Sequence, residues 1–221
     1  MSDTENSSAN SLSSSILILK DIAFQRNEEL LFSNINMAIG SGEILQIQGP
    51  NGSGKTTLLR MLSMTLSPTL GEILWEGKNV NNVREQYLGD LLFLGHQSGL
   101  KKSLSADENL LWWRKLNKDN LLPNSDALEC VGLTRDKSVP CYHLSAGQLR
   151  RASLAKLYVA RAKLWILDEP FSAIDEQFAN ELKMLLENHL DNGGVVILTT
   201  HQDLEIKGMK YISLTSPHKS Q

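Results

Sequence analysis

The chain has 221 residues, 41% of them hydrophobic, with a formal net charge of −3 and a pI near 6.0. Its length suits one domain with a substantial core. Its basic residues do not outnumber its acidic ones, as they typically do in nucleic-acid-binding proteins, so no nucleic-acid partner is expected. No apolar run approaches the roughly 18 residues that a membrane-spanning helix needs. Cys130 and Cys141 have no ligand-like companions, which favours reduced thiols in the cytosol.

The first fifteen residues are polar and rich in serine, and we predict a disordered tail over 1–15. They lack the arginines of a transit peptide. They also lack the basic segment followed by an apolar segment that marks a signal peptide, so no export is expected. From Ile16 onward, short apolar runs alternate with helix-like stretches. This alternation predicts an α/β fold with a largely parallel sheet over residues 16–221.

A phosphate-binding loop follows the predicted buried strand Ile44–Ile47 and precedes a predicted helix from Thr56 to Leu62. The intervening residues match the pattern G-x-x-x-x-G-K-[ST], whose glycines let backbone N–H groups converge on phosphate oxygens. Lys55 is expected to neutralise the β and γ phosphates, Thr56 to offer its hydroxyl to Mg²⁺, and Thr57 to bond an α-phosphate oxygen. The predicted nucleotide-binding residues of the loop are Gly49, Pro50, Asn51, Gly52, Ser53, Gly54, Lys55, Thr56 and Thr57.

Two adjacent carboxylates follow a second predicted strand, Leu164 to Leu167. In open α/β sheets, ligands bind at the carboxyl ends of the strands. We therefore expect Asp168 to hold Mg²⁺, directly or through water, and Glu169 to polarise the attacking water. Without the phosphate-binding loop, the same pair would be equally compatible with a solvated turn.

Two further polar residues follow apolar runs that are expected to end at the same sheet edge. His201 is predicted to contact the γ-phosphate, although a histidine at this place can also merely cap a strand. Gln97 is predicted to orient water or to complete the Mg²⁺ shell. Its neighbour His96 is the alternative candidate.

The segment LSAGQ, residues 144–148, is a second loop that opens a helix and exposes backbone amides to an anion. With GPNGSGKTT, the Gln97 loop, LWILDEP, SAID and His201, it follows the order found in ATP-binding-cassette (ABC) ATPases, which the chain resembles over nearly all its length. The resemblance implies a P-loop NTPase fold with a RecA-like core and a helical subdomain inserted at about 98–162.

The same resemblance implies that ATP and Mg²⁺ are bound between two copies of the chain arranged head to tail. Ser145, Ala146, Gly147 and Gln148 of one copy would then reach the γ-phosphate held by the other. Asp175, in the SAID turn, would lie at the seam of this dimer and link the two sites.

The sequence departs from the family pattern at two places. Ala146 replaces the first glycine of the usual LSGGQ, which is harmless if its φ is negative. The position where relatives carry an adenine-stacking aromatic falls on Arg26, while alternation with Ile22 predicts that Phe24 points inward. A guanidinium can stack on a base, so adenine binding is expected to persist with less discrimination between ATP and GTP.

Several stretches, among them GEILWEG, LSAGQLRR and GGVVILTTHQDL, resemble the haem-exporter ATP-binding subunits of bacterial cytochrome c maturation. This resemblance implies integral membrane partners in a haem-handling complex, and a peripheral place on the cytoplasmic face of the inner membrane. One of Trp112 and Trp113 is expected to face a membrane partner. The histidines are scattered, so no direct haem binding is expected. The alternatives are a soluble ABC ATPase of metal-cofactor assembly and a subunit for another exported substrate.

Overall fold

The computed structural model describes residues 15–117 and 121–215. The predicted tail lies outside the described residues except for Ser15, which begins the first strand. The strands are β1 (Ser15–Arg26), β2 (Glu29–Gly40), β3 (Ile44–Gln48), β4 (Leu70–Trp75), β5 (Lys78–Asn79), β6 (Leu91–Leu94), β7 (Leu164–Asp168), β8 (Val195–Thr199) and β9 (Lys210–Ser213). The helices are α1 (Lys55–Leu62), α2 (Arg84–Gly89), α3 (Ala106–Asn117), α4 (Asn124–Cys130), α5 (Ala146–Leu154), α6 (Lys156–Val159) and α7 (Glu176–Asp191).

The central sheet is parallel, with strand order β6-β7-β8-β3-β9. Its strand β7 is buried along its whole length, and its alternate residues belong to two different cores. Leu164 and Ile166 pack into the core that contains α1, whereas Trp165 and Leu167 pack into the core that contains α7. Both faces of this sheet are therefore covered at β7, which is why β6, β7 and β8 read as continuous apolar runs.

A smaller antiparallel sheet, in the order β2-β1-β4-β5, packs on the α1 side of the molecule. Its long hairpin turns at Asn27 and Glu28, which have φ angles of 48° and 66°. Two positive φ values in a two-residue loop match the twist of a tight hairpin. This sheet carries Phe24, Arg26 and Phe32 to the side of the phosphate-binding loop.

Helices α3 to α6 lie between β6 and β7 in chain order, so the helical segment interrupts the parallel sheet. Helix α3 begins after Ser105. The Ser105 hydroxyl accepts from the Glu108 N–H at 3.2 Å, and the Glu108 carboxylate accepts from the Ser105 N–H at 2.8 Å. This capping box satisfies amides at the helix start. The predicted α/β class, with a largely parallel sheet, is confirmed. Among the residues described, no helix combines the length and apolar character that crossing a membrane requires.

Candidate active site

A cleft of about 810 Å³ lies where the ends of β6, β7 and β8 meet the phosphate-binding loop and the β1–β2 hairpin. Its size suits a small-molecule ligand. It is lined by most of the predicted site residues: Arg26, Asn51, Gly52, Gly54, Lys55, Thr56, Thr57, Asp168, Glu169 and His201. An adjoining cleft of about 420 Å³ shares Lys55 and His201 with it and adds Gly49.

The phosphate-binding loop needs its glycines for both conformation and space. Gly49 and Gly54 have φ angles of 144° and 97°, a region that side chains disfavour. A Cβ at Gly54 would approach the ring of Phe32 to 2.7 Å and Leu31 to 2.9 Å. The antiparallel sheet therefore supports the back of the loop at the point where α1 begins.

Lys55 points back over the loop that precedes it. Its ammonium donates to the carbonyl oxygens of Gly49 at 2.7 Å and Pro50 at 3.1 Å. An ammonium group has three protons, so one remains for an oxygen of a bound anion. In addition, the Ser53 hydroxyl is buried with no hydrogen-bond partner in the part of the chain that the structure describes. The loop thus fits a phosphate group.

Asp168 is almost fully buried, with both carboxylate oxygens engaged. The Thr56 hydroxyl donates to Oδ2 at 3.1 Å, and the Thr199 hydroxyl donates to Oδ1 at 2.7 Å. Carboxylate and hydroxyl oxygens are the ligands that Mg²⁺ prefers, and each keeps a free lone pair here. The two predicted magnesium ligands Thr56 and Asp168 are therefore adjacent, and this donor set fits the ion.

Glu169 adopts a φ of 51°, which is uncommon outside glycine. Its side chain is 18% exposed, and its Oε1 lies 3.5 Å from Nε2 of His201, whose own side chain is 69% exposed. The carboxylate is thus poorly hydrated while the imidazole faces open solvent. This pair stands at the mouth of the cleft, where a water molecule and a terminal phosphate can both approach.

The Gln97 loop follows β6, as predicted, but its two candidate residues differ in position. Both His96 and Gln97 are exposed, and His96 lines the large cleft. Among the described residues that line this cleft, Gln97 is not included. The magnesium and water-orienting role of Gln97 remains a prediction.

The β1 residues near the cleft do not follow simple alternation. The β1–β2 ladder is irregular between Ile22 and Phe24, so Ala23 is buried next to Ile22, and Phe24 is only partly buried. Phe24 therefore lines the cleft beside the exposed Arg26, rather than pointing only inward as predicted. The base-binding end thus offers both an aromatic ring and a guanidinium.

The LSAGQ segment forms the N-terminus of α5 with Ser145 as its cap. Ser145 Oγ accepts from the Gln148 N–H at 3.2 Å, and the Gln148 Oε1 accepts from the Ser145 N–H at 2.9 Å. The Gln148 amide also donates to Asp136 at 2.9 Å. Since both ends of the Gln148 side chain are engaged within the chain, it positions this loop.

The alanine that departs from the family pattern is tolerated because Ala146 lies in the helical region, with negative φ. At the next position, a Cβ on Gly147 would approach the Ala173 carbonyl oxygen to 2.8 Å, which explains the glycine there. The described residues that line the large cleft include none of Ser145, Ala146, Gly147 or Gln148.

Asp175 is tied to the helical segment. Its Oδ1 accepts from the Phe178 N–H at 3.0 Å, which caps α7, and its Oδ2 pairs with Arg151 of α5. The hydrogen bond from the Phe178 N–H, together with the ion pair to Arg151, holds the pKa of Asp175 below its usual value, against the opposing effect of desolvation. The seam residue predicted from the sequence is thus an exposed carboxylate that joins α5 to α7.

Two residues of the site were not predicted from the sequence. Thr199 ends an otherwise apolar buried strand, and its hydroxyl contacts Asp168 and Glu169. Arg150 is a buried charge in α5, and its guanidinium reaches the carbonyls behind the same turn. Both residues lie within stretches that carry the resemblance, LSAGQLRR and GGVVILTTHQDL, but no role was predicted for them. The available signal was a polar residue at a buried position.

The family model of ABC transporters matches residues 32–172, well over half of the chain. The chain belongs to the ABC transporter family. It is an ATPase of that family.

Three curated relatives carry the name cytochrome c biogenesis ATP-binding export protein CcmA. The chain is 43% identical to the protein of Hahella chejuensis over 87% of this chain and 92% of that one. It is 45% identical to the protein of Vibrio vulnificus strain YJ016 over 86% of this chain and 93% of that one. It is 46% identical to the protein of Pseudomonas putida strain KT2440 over 87% of this chain and 92% of that one. The ABC ATPase is therefore similar to these proteins over nearly the full length of both.

Solved structures agree with this family membership. An ABC transporter ATP-binding protein from Pyrococcus furiosus superposes with a TM-score of 0.77 at 30% identity, covering 90% of this chain and 98% of that one. A dimeric ATP-binding cassette in a post-hydrolysis state, bound to ADP and Pi, superposes with a TM-score of 0.73 at 25% identity. The match covers 85% of this chain and 88% of that one. ATP-binding cassettes of this fold thus form dimers in structural neighbours.

Proposed function

We propose that this ABC ATPase is the ATP-hydrolysing subunit of a membrane complex that handles haem in cytochrome c biogenesis. The observation that carries the proposal is the 43–46% identity to export proteins of that process over 86–87% of this chain and 92–93% of theirs. Similarity over nearly whole chains includes the helical segment, on which the membrane partners would dock. The proposed cargo therefore rests on more than the ATP site.

The nucleotide occupies the large cleft, with its phosphates over the loop from Gly49 to Thr57. Lys55 donates to a phosphate oxygen with the proton that Gly49 and Pro50 leave free. The base lies toward Phe24 and Arg26, at the end of the cleft formed by β1. Because an aromatic ring accompanies the guanidinium, stacking of adenine does not depend on Arg26 alone.

Thr56 and Asp168 would hold Mg²⁺, and Gln97 would complete its shell. When bound, the ion neutralises charge on the phosphate oxygens. Glu169 accepts a proton from the attacking water, since it lines the same cleft as the phosphate-binding loop. His201, whose Nε2 lies 3.5 Å from Oε1 of Glu169, donates to the γ-phosphate.

The Ser145–Gln148 segment acts on the ATP of a second copy of this chain. Its residues are exposed or partly exposed, lie at a helix N-terminus and stand apart from the cleft of their own chain. Two copies arranged head to tail bring each segment over the other's nucleotide, with Asp175 at the seam. Hydrolysis then requires the dimer, as the dimeric structural neighbours suggest.

The membrane partners are integral subunits that dock on the helical segment, which places this subunit at the cytoplasmic face of the bacterial inner membrane. Trp112 supports this, because it is 47% exposed on α3 and carries the Lys101 ammonium 4.6 Å from its ring centroid. Trp113, in contrast, packs against the core. Neither haem nor nucleic acid is a direct ligand of this chain in the proposal.

The first experiment is affinity purification of the full chain from native membranes in mild detergent. We expect small multi-span proteins that carry haem to accompany the wild type. The variant Trp112→Ala should lose them while keeping ATP binding, and Leu70→Ala is a matched control at an exposed apolar residue of β4. Recovery with soluble assembly proteins alone would leave the ATPase intact and overturn the membrane assignment.

A further inference from the structure

The turn that carries the two carboxylates has an unfavourable backbone conformation. Glu169 has a φ of 51°, a left-handed value that glycine adopts easily and glutamate does not. Such a conformation persists only where surrounding contacts determine it. The neighbouring contacts therefore decide where the Glu169 carboxylate points.

Thr199 makes the first of these contacts from β8. Its hydroxyl accepts from the Glu169 N–H at 2.9 Å and donates to Oδ1 of Asp168 at 2.7 Å. A hydroxyl has a single proton, so these directions are fixed once the amide N–H is the donor on one side. Thr199 is fully buried, and water cannot readily replace it. One hydroxyl thus links the magnesium-binding residue to the backbone of the proposed base.

Arg150 makes the second contact from the opposite side. Its Nη2 donates to the carbonyl oxygens of Asp168 at 2.8 Å and Glu169 at 2.7 Å, and its Nη1 donates to Gly95 at 3.2 Å. Arg150 is only 5% exposed, and within the described residues its guanidinium donates to backbone carbonyl oxygens, that of Pro170 included at 3.4 Å. Because the buried guanidinium forms its hydrogen bonds with backbone carbonyl oxygens, it fixes the path of the chain at this turn.

We propose that Thr199 and Arg150 form a positioning clamp, which holds Glu169 at the angle needed for hydrolysis. Thr199 fixes the amide side of the turn, and Arg150 fixes its carbonyl side. Because Arg150 belongs to the helix that Ser145 caps, the clamp also joins the segment serving the partner's ATP to the chain's own base. The clamp rests on the ATP site of the proposed function and is independent of its cargo.

The clamp is tested first with Thr199→Val, which removes the hydroxyl and keeps the branched shape, in the full-length chain. We expect kcat for ATP hydrolysis to fall roughly 10- to 100-fold with KM and nucleotide affinity within about twofold. Thr199→Ser, which restores a hydroxyl, should recover most of the rate. Thr134→Val, at an exposed threonine, is the matched control. A rise in KM at constant kcat, or no recovery with serine, would overturn the clamp.

A second measurement does not depend on hydrolysis. Amide hydrogen exchange should be slow at Glu169 in the wild type and at least about tenfold faster in Thr199→Val, because the amide loses its acceptor. The melting temperature should also fall, because the nearly buried Asp168 carboxylate loses the same hydroxyl as a donor. Unchanged exchange at this amide would refute the role of Thr199 even if the ATPase or its membrane partners proved different from those proposed.

The contribution of Arg150 to the clamp is tested with Arg150→Lys. Arg161→Met, at an exposed arginine, is the control. Lysine keeps the charge but cannot reach several carbonyls at once. We expect a fall in kcat of about tenfold and a Hill coefficient for ATP that moves toward one, because the two sites become less coupled. A lowered kcat with an unchanged Hill coefficient would overturn the link between the two ATP sites.

Discussion

The Thr56 hydroxyl donates to the Asp168 carboxylate at 3.1 Å, although the two residues lie 112 positions apart in the chain. The contact forms because α1 starts directly above the end of β7 at one edge of the parallel sheet. It brings the predicted magnesium ligands together. The expected outcomes below follow from this arrangement.

Replacing Lys55 with alanine should weaken ATP binding. A charge-assisted hydrogen bond contributes about 1.5–3 kcal/mol, so we expect a loss of roughly 10- to 100-fold in affinity. Stability should change little, since the loop carbonyls of Gly49 and Pro50 can turn to water. Titration with a fluorescent ATP analogue measures this, with the exposed Lys78→Ala as control. Wild-type affinity in Lys55→Ala would contradict the assigned role.

Glu169→Gln should preserve ATP binding and slow hydrolysis by roughly 100- to 10,000-fold, because the amide cannot accept the proton of water. The closed dimer should then accumulate with ATP and be visible by size-exclusion chromatography. The exposed Glu85→Gln is the matched control and should behave as wild type. Normal turnover in Glu169→Gln would show that another group acts as the base.

The proposed action of Ser145 on the ATP held by the other chain is tested with mixed dimers. When Lys55→Ala lies in one chain and Ser145→Ala in the other, a trans arrangement leaves one site fully intact. When both changes lie in the same chain of a mixed dimer, no intact site remains. We therefore expect about half of the wild-type ATPase rate in the first dimer if the sites act independently, and little in the second. The opposite order would show that Ser145 serves its own chain.

Two neighbouring positions of the LSAGQ segment should respond differently to substitution. Ala146→Gly should be nearly neutral, because Ala146 is already helical and exposed. Gly147→Ala places a Cβ 2.8 Å from the Ala173 carbonyl oxygen, so the loop or the turn before Asp175 must shift. We expect hydrolysis to fall at least about tenfold with monomer ATP affinity unchanged. Equal activity of both variants would mean that this close approach does not matter.

The local motifs of the site were predictable because each is defined by neighbours in the chain. The glycines of residues 49–54 need positive φ or close packing, and the short apolar run before Asp168 indicates a buried strand. These features depend on backbone geometry over a few residues. The sequence alone therefore identified the fold class, the phosphate-binding loop and the carboxylate pair.

Other features depended on which distant residues meet, and only the tertiary structure decided them. Nothing local shows that Thr199 lies opposite Asp168, or that Arg150 reaches the carbonyls of the same turn. Likewise, an irregular pairing of β1 with β2 brought Phe24 to the cleft beside Arg26. Periodicity tells which face of an element is buried, but the partner on that face is set by how the sheets and helices pack.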